Sequence, residues 1–238
     1  MFLRRALAGS VLMLPLIFAG ALQACRGYKD RPDLTPLMNA AAHRDLARVK
    51  ELLAHGANVN LRTDKGETAL YEAIERRDLS IDNLPTVDAL LKGGADPNER
   101  EIFGASALSV SLTRDHANPA VTLRLLQAGA TVPKECGEGD SLVSLATQQS
   151  SLEVLRALID RGAPVNCEYK GASALYWAAI NGQVDRVTLL LQNGADPRID
   201  SKALLEAATC PNCDPRVKTN FAKTHDLIEN ALRSARMK

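Results

Sequence analysis

Cys210 and Cys213 are separated only by Pro211 and Asn212. A C-x-x-C pair is half of a zinc site, a thiol redox pair, or a short covalent clip. Zinc needs four ligands, and His225 has no second histidine at finger spacing. The other histidines, His43, His55 and His116, fall on separate segments. The chain has no G-x-S-x-G, no phosphate loop and no metal-binding histidine pair. These residues form no catalytic constellation, so the expectation is a non-enzyme without metal or cofactor. Cys136 and Cys167 complete an even set of four once Cys25 is set aside, and three pairings are open.

Cys25 belongs to a different signal. Arg4 and Arg5 precede an uncharged run from Ala6 to Cys25, the arrangement of a secretory leader. Its end, Leu22-Gln23-Ala24-Cys25, resembles the lipobox of bacterial lipoproteins, with Gln23 a departure from the usual occupant. The resemblance implies cleavage after residue 24, a diacylglyceryl group on Cys25 and a periplasm-facing anchor. Arg26, rather than Asp, follows the cysteine, which favours the outer membrane. An uncleaved membrane helix is a poor reading, because Pro15, Gly9, Gly20 and Gln23 interrupt the run. A plain leader cut after Ala24 would put Leu22 where a small side chain is preferred. In an exported chain the remaining cysteines are expected in disulfides.

Composition excludes other classes. The chain is 46% hydrophobic and 24% charged, which suits a folded soluble domain. Aromatics are only 4%, as expected of helices packed through small Ala and Leu contacts. The formal net charge of +1 offers no basic stripe for nucleic acid.

The elements that must carry these residues repeat. LLAHGANVN begins at Leu52, LLKGGADPN at Leu90, LLQAGATVP at Leu125, LIDRGAPVN at Leu158 and LLQNGADPR at Leu190. Their glycines, Gly56, Gly94, Gly129, Gly162 and Gly194, are 38, 35, 33 and 32 residues apart. A second phrase precedes each: DLTPLMNAA at Asp33, GETALYEAI at Gly66, GASALSVSL at Gly104, GDSLVSLAT at Gly139 and GASALYWAA at Gly171. Val49, Leu52 and Leu53 recur as Val87, Leu90 and Leu91, and as Val187, Leu190 and Leu191, one face of a helix. The Thr or Ser of each phrase is placed to cap a first helix, and the glycine to end a second. Such a unit cannot bury its apolar face alone, so neighbours must stack.

Both phrases in phase resemble the ankyrin repeat, G-x-T-P-L-H-x-A-A followed by L-L-x-x-G-A. The fourth copy departs, with Leu142 and Val143 where Pro or Ala and Leu stand, and Tyr176 replaces the usual histidine. The resemblance implies an all-α solenoid of helix-turn-helix units with hairpin loops, five repeats over residues 32–198. Residues 1–24 read as leader, 25–31 as lipidated Cys25 and tether, and 199–238 as a C-terminal cap. In that cap SKALLEAATC and HDLIENALRSA read as a final helix pair, with Lys202, Glu206, Glu229 and Arg233 outward. Repeats two and three are lengthened between their helices, ahead of Pro85 and Pro119, with Asn83 and Asn118 as helix caps.

In such a solenoid adjacent hairpins stack, so Cys136 and Cys167 are near enough to pair, while Cys210 and Cys213 can close on each other. C-P-x-C is also similar to the motif of thioredoxin-like enzymes, but that chemistry needs a βαβ unit, which the sequence lacks. A structural clip is the preferred reading. The resemblance further implies a protein partner held by hairpin tips and inner-helix ends. Those positions are Lys65, Glu67, Ile102, Phe103, Glu138, Asp140, Tyr169, Arg76 and Arg114. Ile102, Phe103 and Tyr169 are the expected anchors, although each can instead pack on a neighbouring hairpin. Trp177 is expected in the core. The function expected is a monomeric, envelope-anchored binding module, for instance an immunity protein against a periplasm-acting toxin such as a lipase. The alternatives are a scaffold or protector of a resident periplasmic enzyme in oxidative stress, and a thiol redox protein using Cys210 and Cys213.

Overall fold

A computed structural model describes residues 31–75, 82–113, 118–136, 141–199, 205–206 and 215–236. Short helices alternate in pairs. The first members are α1 (Pro36–Ala42), α3 (Ala69–Glu75), α5 (Ala107–Val110), α7 (Leu142–Gln149) and α9 (Ala174–Ile180). The second members are α2 (Leu46–Ala54), α4 (Leu84–Lys92), α6 (Pro119–Gln127), α8 (Leu152–Asp160) and α10 (Val184–Gln192). First members pack along first members, α1 on α3 and α7 on α9. Second members follow one another from α2 to α10. The fold is a solenoid of helix-turn-helix units with hairpins between them. In the last hairpin β1 (Glu168–Tyr169) pairs antiparallel with β2 (Ala172–Ser173).

The sequence dictates this locally. Thr35, Thr68, Ser106, Ser141 and Ser173 each accept a hydrogen bond from the backbone N–H three residues on, at 3.1 to 3.2 Å. Ser141 keeps its cap although Leu142 and Val143 depart from the pattern. The glycines ending the second helices have φ between +80° and +90°, a conformation costly for any residue with a Cβ.

Burial follows the repeat. Val49, Val87, Thr122, Leu155 and Val187, seven residues before those glycines, have no exposed surface. Three residues on, Leu90, Leu125, Leu158 and Leu190 are also fully buried, whereas Leu52 is half-buried because it lies at the start of the stack. Thr122 places a hydroxyl in this core and satisfies it against the Ser111 Oγ at 3.0 Å. Ala73, Ala146 and Ala178 leave no surface exposed, so the first helices approach closely.

Asparagine side chains tie the hairpins along one edge. Asn60 Nδ2 donates to Gly94 O at 2.9 Å while its Oδ1 accepts from Asp96 N at 2.9 Å. Asn98 does the same with Gly129 O and Thr131 N, at 3.3 and 2.7 Å. Asn166 repeats it with Gly194 O and Asp196 N, at 3.0 and 2.8 Å.

Four expectations are corrected. Asn118 caps α6, accepting from Ala120 N at 3.1 Å, but Asn83 makes no cap bond to α4. Asn83 is instead buried, its Nδ2 donating to Ala73 O of α3 at 3.4 Å and its Oδ1 accepting from Asn118 Nδ2 at 2.9 Å. The terminal helix α11 (Pro215–Arg236) has 22 residues and begins ten residues before His225. It packs on α9 and α10, and buries Thr224, Ile228 and Leu232. Trp177 is half-buried rather than core. Arg31, assigned to the tether, is held by the fold through Asp33, Glu67 and Glu72.

Candidate protein-binding surface

Residues 99–106 form the hairpin that carries Ile102 and Phe103. Gly104, at φ +86°, supplies the left-handed residue of its tip. Glu101 organises the turn with both carboxylate oxygens, Oε2 accepting from Phe103 N and Oε1 from Ala105 N, each at 2.9 Å. Its backbone adds two bonds, N–H to Ala105 O at 3.1 Å and O from Gly104 N at 2.9 Å. Arg100 Nη1 donates to Gly104 O at 2.7 Å. The preceding hairpin braces the tip: Ile102 N donates to Lys65 O at 2.8 Å, and Arg62 reaches Arg100 O at 2.7 Å and Glu99 Oε2 at 2.6 Å. All but the Arg62–Glu99 ion pair hold the backbone, and the two apolar side chains are left outside. Ile102 is 59% and Phe103 88% exposed.

The register makes Phe103 unusual. It precedes the tip glycine, and the same position holds Lys65 before Gly66 and Lys170 before Gly171. Two hairpins place a solvated ammonium there, and this one places a ring.

The other sites named from sequence divide. Lys65 is exposed at its tip. The Glu67 carboxylate is engaged within the chain, by Arg31 Nη2 at 3.0 Å and Thr63 Oγ1 at 3.1 Å. Tyr169 pairs with Ala172 across the hairpin, packs against the core and is half-buried. Lys170 Nζ lies 5.1 Å from the ring centre. Cys136 and Cys167 are joined by a disulfide. Cys25, Arg76, Arg114, Glu138, Asp140, Cys210 and Cys213 lie outside the described residues, as do His116 and Lys202.

One cluster was not anticipated. Glu72 occupies the position that is Val110, Leu145 and Trp177 in later repeats, and its side chain is 1% exposed. Arg31 meets it at 3.0 Å, Glu67 at 3.0 Å and Asp33 at 2.5 Å. Burial pushes the Glu72 carboxyl up to about 7, against the pull of Arg31. The Arg31 guanidinium, hydrogen-bonded to Asp33, holds that exposed carboxyl below its ordinary value. The sequence signal was a charged residue at a helix position that is Asn39 in the first repeat and apolar in the later ones.

The histidines are used locally, His43 Nδ1 with Asn39 O at 2.7 Å and His55 Nδ1 with Glu51 O at 2.8 Å. A polar hollow of about 500 Å³ lies between residues 181–186 and α11. Arg186 lines it, but its guanidinium is committed to the carbonyls of Ala146, Thr147 and Ser150 at the end of α7. Among the described residues no group of three or more His, Cys, Asp or Glu could hold a metal ion, and no helix is long and apolar enough to cross a membrane.

Residues 14–101 and 108–201 match the family model described as Ankyrin repeats (3 copies). The chain belongs to the ankyrin-repeat family. Its ankyrin repeats form a protein-interaction module, and such repeats are generally non-catalytic. Similar curated proteins include Potassium channel AKT2/3 of Arabidopsis thaliana, 32% identical over 151 residues, 63% of this chain and 18% of the channel. Neurogenic locus notch homolog protein 1 of Danio rerio is 30% identical over 150 residues, 62% of this chain and 6% of that protein. The match therefore spans less than a fifth of either relative. Among solved structures, an ankyrin repeat domain from Acinetobacter baumannii AYE superposes with TM-score 0.64 at 26% identity, over 82% of this chain and 97% of that one. A structure of a predatory endopeptidase from Bdellovibrio bacteriovorus in complex with an immunity protein aligns with TM-score 0.60 at 22% identity, over 83% and 98% of the two chains, a likeness of fold.

Proposed function

We propose that this ankyrin-repeat protein is an immunity protein of the bacterial envelope, anchored through Cys25 and capturing a periplasm-acting toxin through the Ile102–Phe103 hairpin. The observation that carries the binding reading is Phe103, 88% exposed on a tip whose backbone is held by Glu101 and by the preceding hairpin. An apolar ring held out rigidly loses little conformational freedom on docking, which is how aromatic anchors dominate interfaces. The immunity reading is supported by a solved complex of the same fold that contains an immunity protein. The leader and the sequence around Cys25 support the anchor. Five residues separate Cys25 from Arg31, so the tether reaches about 20 Å at full extension. The toxin would then be met close to the membrane surface.

Affinity purification from envelope fractions tests the reading. The full chain is expected to recover one secreted hydrolase, and its deletion to sensitise cells to that hydrolase. Phe103→Ala is expected to weaken capture by about 2 kcal/mol or more while leaving thermal unfolding within about 0.5 kcal/mol. Cys25→Ser is expected to release the protein from membranes. Equal capture by the Phe103→Ala variant would remove the hairpin from the interface. Recovery of a resident enzyme in place of a toxin would overturn the immunity role and favour a scaffold.

A further inference from the structure

The asparagine ties along the hairpin edge fail at one junction. Asn60, Asn98 and Asn166 each stand fifth in their G-A-x-x-N phrase, and each bonds the glycine carbonyl and the third-position N–H of the next phrase. Between the third and fourth phrases the fifth residue is Pro133 and the receiving third residue is Pro164. Pro133 has no amide side chain, and Pro164 has no N–H to donate. The tie is missing on both sides at once.

Other contacts do cross this junction. α5 has only four residues, and its close helix partners are α3 and α6. Arg161 Nη2 crosses to Leu126 O at 3.3 Å, and α6 packs on α8. The disulfide spans the same gap. Cys136 lies three residues after Pro133 and Cys167 three after Pro164, with Cα atoms 5.4 Å apart. Cys167 is 4% exposed, its carbonyl accepting from Ser144 Oγ at 3.1 Å, while Cys136 is exposed.

We propose that the Cys136–Cys167 disulfide is a redox-dependent clasp that replaces the missing asparagine tie, so that the hairpin edge is fastened at this junction only where an oxidant closes it. Closure is thiol–disulfide exchange with an exogenous disulfide. One cysteine thiolate attacks it, forming a mixed disulfide and expelling one thiolate. The second cysteine attacks the mixed disulfide, forming the Cys136–Cys167 bond and expelling the other. The oxidant leaves as a dithiol carrying the two electrons and the two protons. Opening runs in reverse, with an external dithiol entering at exposed Cys136 and releasing Cys167. In a reducing compartment the halves before and after the junction remain unclasped. The inference is independent of the partner and of the anchor.

Amide hydrogen exchange on the full chain tests it, comparing oxidised protein with protein reduced by dithiothreitol. Peptides covering 129–136 and 162–167 report the junction, and peptides covering 56–66 and 94–101 serve as internal controls. Reduction is expected to raise exchange at the junction by on the order of 100-fold, with the controls unchanged. Cys136→Ser without reductant is expected to do the same. Adding Pro133→Asn and Pro164→Asp to Cys136→Ser rebuilds the tie and is expected to restore most of the protection. Equal exchange in oxidised and reduced protein would overturn the proposal. So would a uniform rise across all hairpins, or a triple variant that folds by circular dichroism yet gains no protection. Free thiols at Cys136 and Cys167 in air-oxidised protein, read by alkylation and mass spectrometry, would overturn it as well.

Discussion

Glu72 illustrates how one residue sets a pH dependence. Its carboxyl is held protonated up to about 7 by burial, whereas an unperturbed glutamate titrates near 4.5. Between those values the folded state binds more protons than the unfolded one, so this group's contribution to stability declines as pH rises through that window. Glu72→Gln removes the titration and keeps an acceptor for Arg31. Urea midpoints measured from pH 4.5 to 7 are expected to converge at the acid end and to favour the variant at the neutral end. A constant difference across the range would show that Glu72 does not carry the shift. The residue was visible in the sequence as a charge at a position apolar in the later repeats. Its partner was not, because Arg31 precedes the first repeat phrase and nothing in the local spacing points to a side chain 41 residues away.

At the scale of elements, caps matter most where helices are shortest. α5 has four residues, and Ser106 and Ser109 bond each other's backbone N–H groups at 3.1 and 3.0 Å. Ser106→Ala is expected to cost about 1 kcal/mol, read as a lower urea midpoint with an unchanged slope. These caps, the glycine ends and the Val and Leu stripe were all legible, because each is a short-range rule repeated five times. What escaped was set by tertiary context. Asn83 precedes a proline like Asn118, yet it is drawn into a buried contact with Asn118 in place of capping. Tyr169 and Ile102 hold the same place in their hairpins, yet Tyr169 packs on the core and Ile102 stays 59% exposed, a difference that the two sequences, each with alanine after the tip glycine, do not signal. The long terminal helix was underestimated because the phrase from His225 matches only its second half, while Pro215 marks its first residue.

At the largest scale the repeats form a row whose last unit must be covered. α11 does this by burying Ile228 and Leu232 against α9 and α10. Removing residues 215–238 is expected to lower the melting temperature and to expose apolar surface that binds a hydrophobic dye, as uncapped solenoids do. An unchanged melting profile would make α11 an appendage. The order of the stack was readable from the period of the glycines, whereas the missing tie was not, since it shows only when the asparagine bonds of the other hairpins are seen beside Pro133 and Pro164.

That disulfide also limits how far the chain can be drawn out. Cys136 and Cys167 are 31 positions apart in sequence, yet their Cα atoms stand 5.4 Å apart. Pulled by its two ends, the oxidised polypeptide would fall short of its full contour by about 100 Å, at roughly 3.3 to 3.6 Å for each residue inside the covalent loop. A thiol added under load would release that slack in a single step, giving a mechanical signature of this one bond.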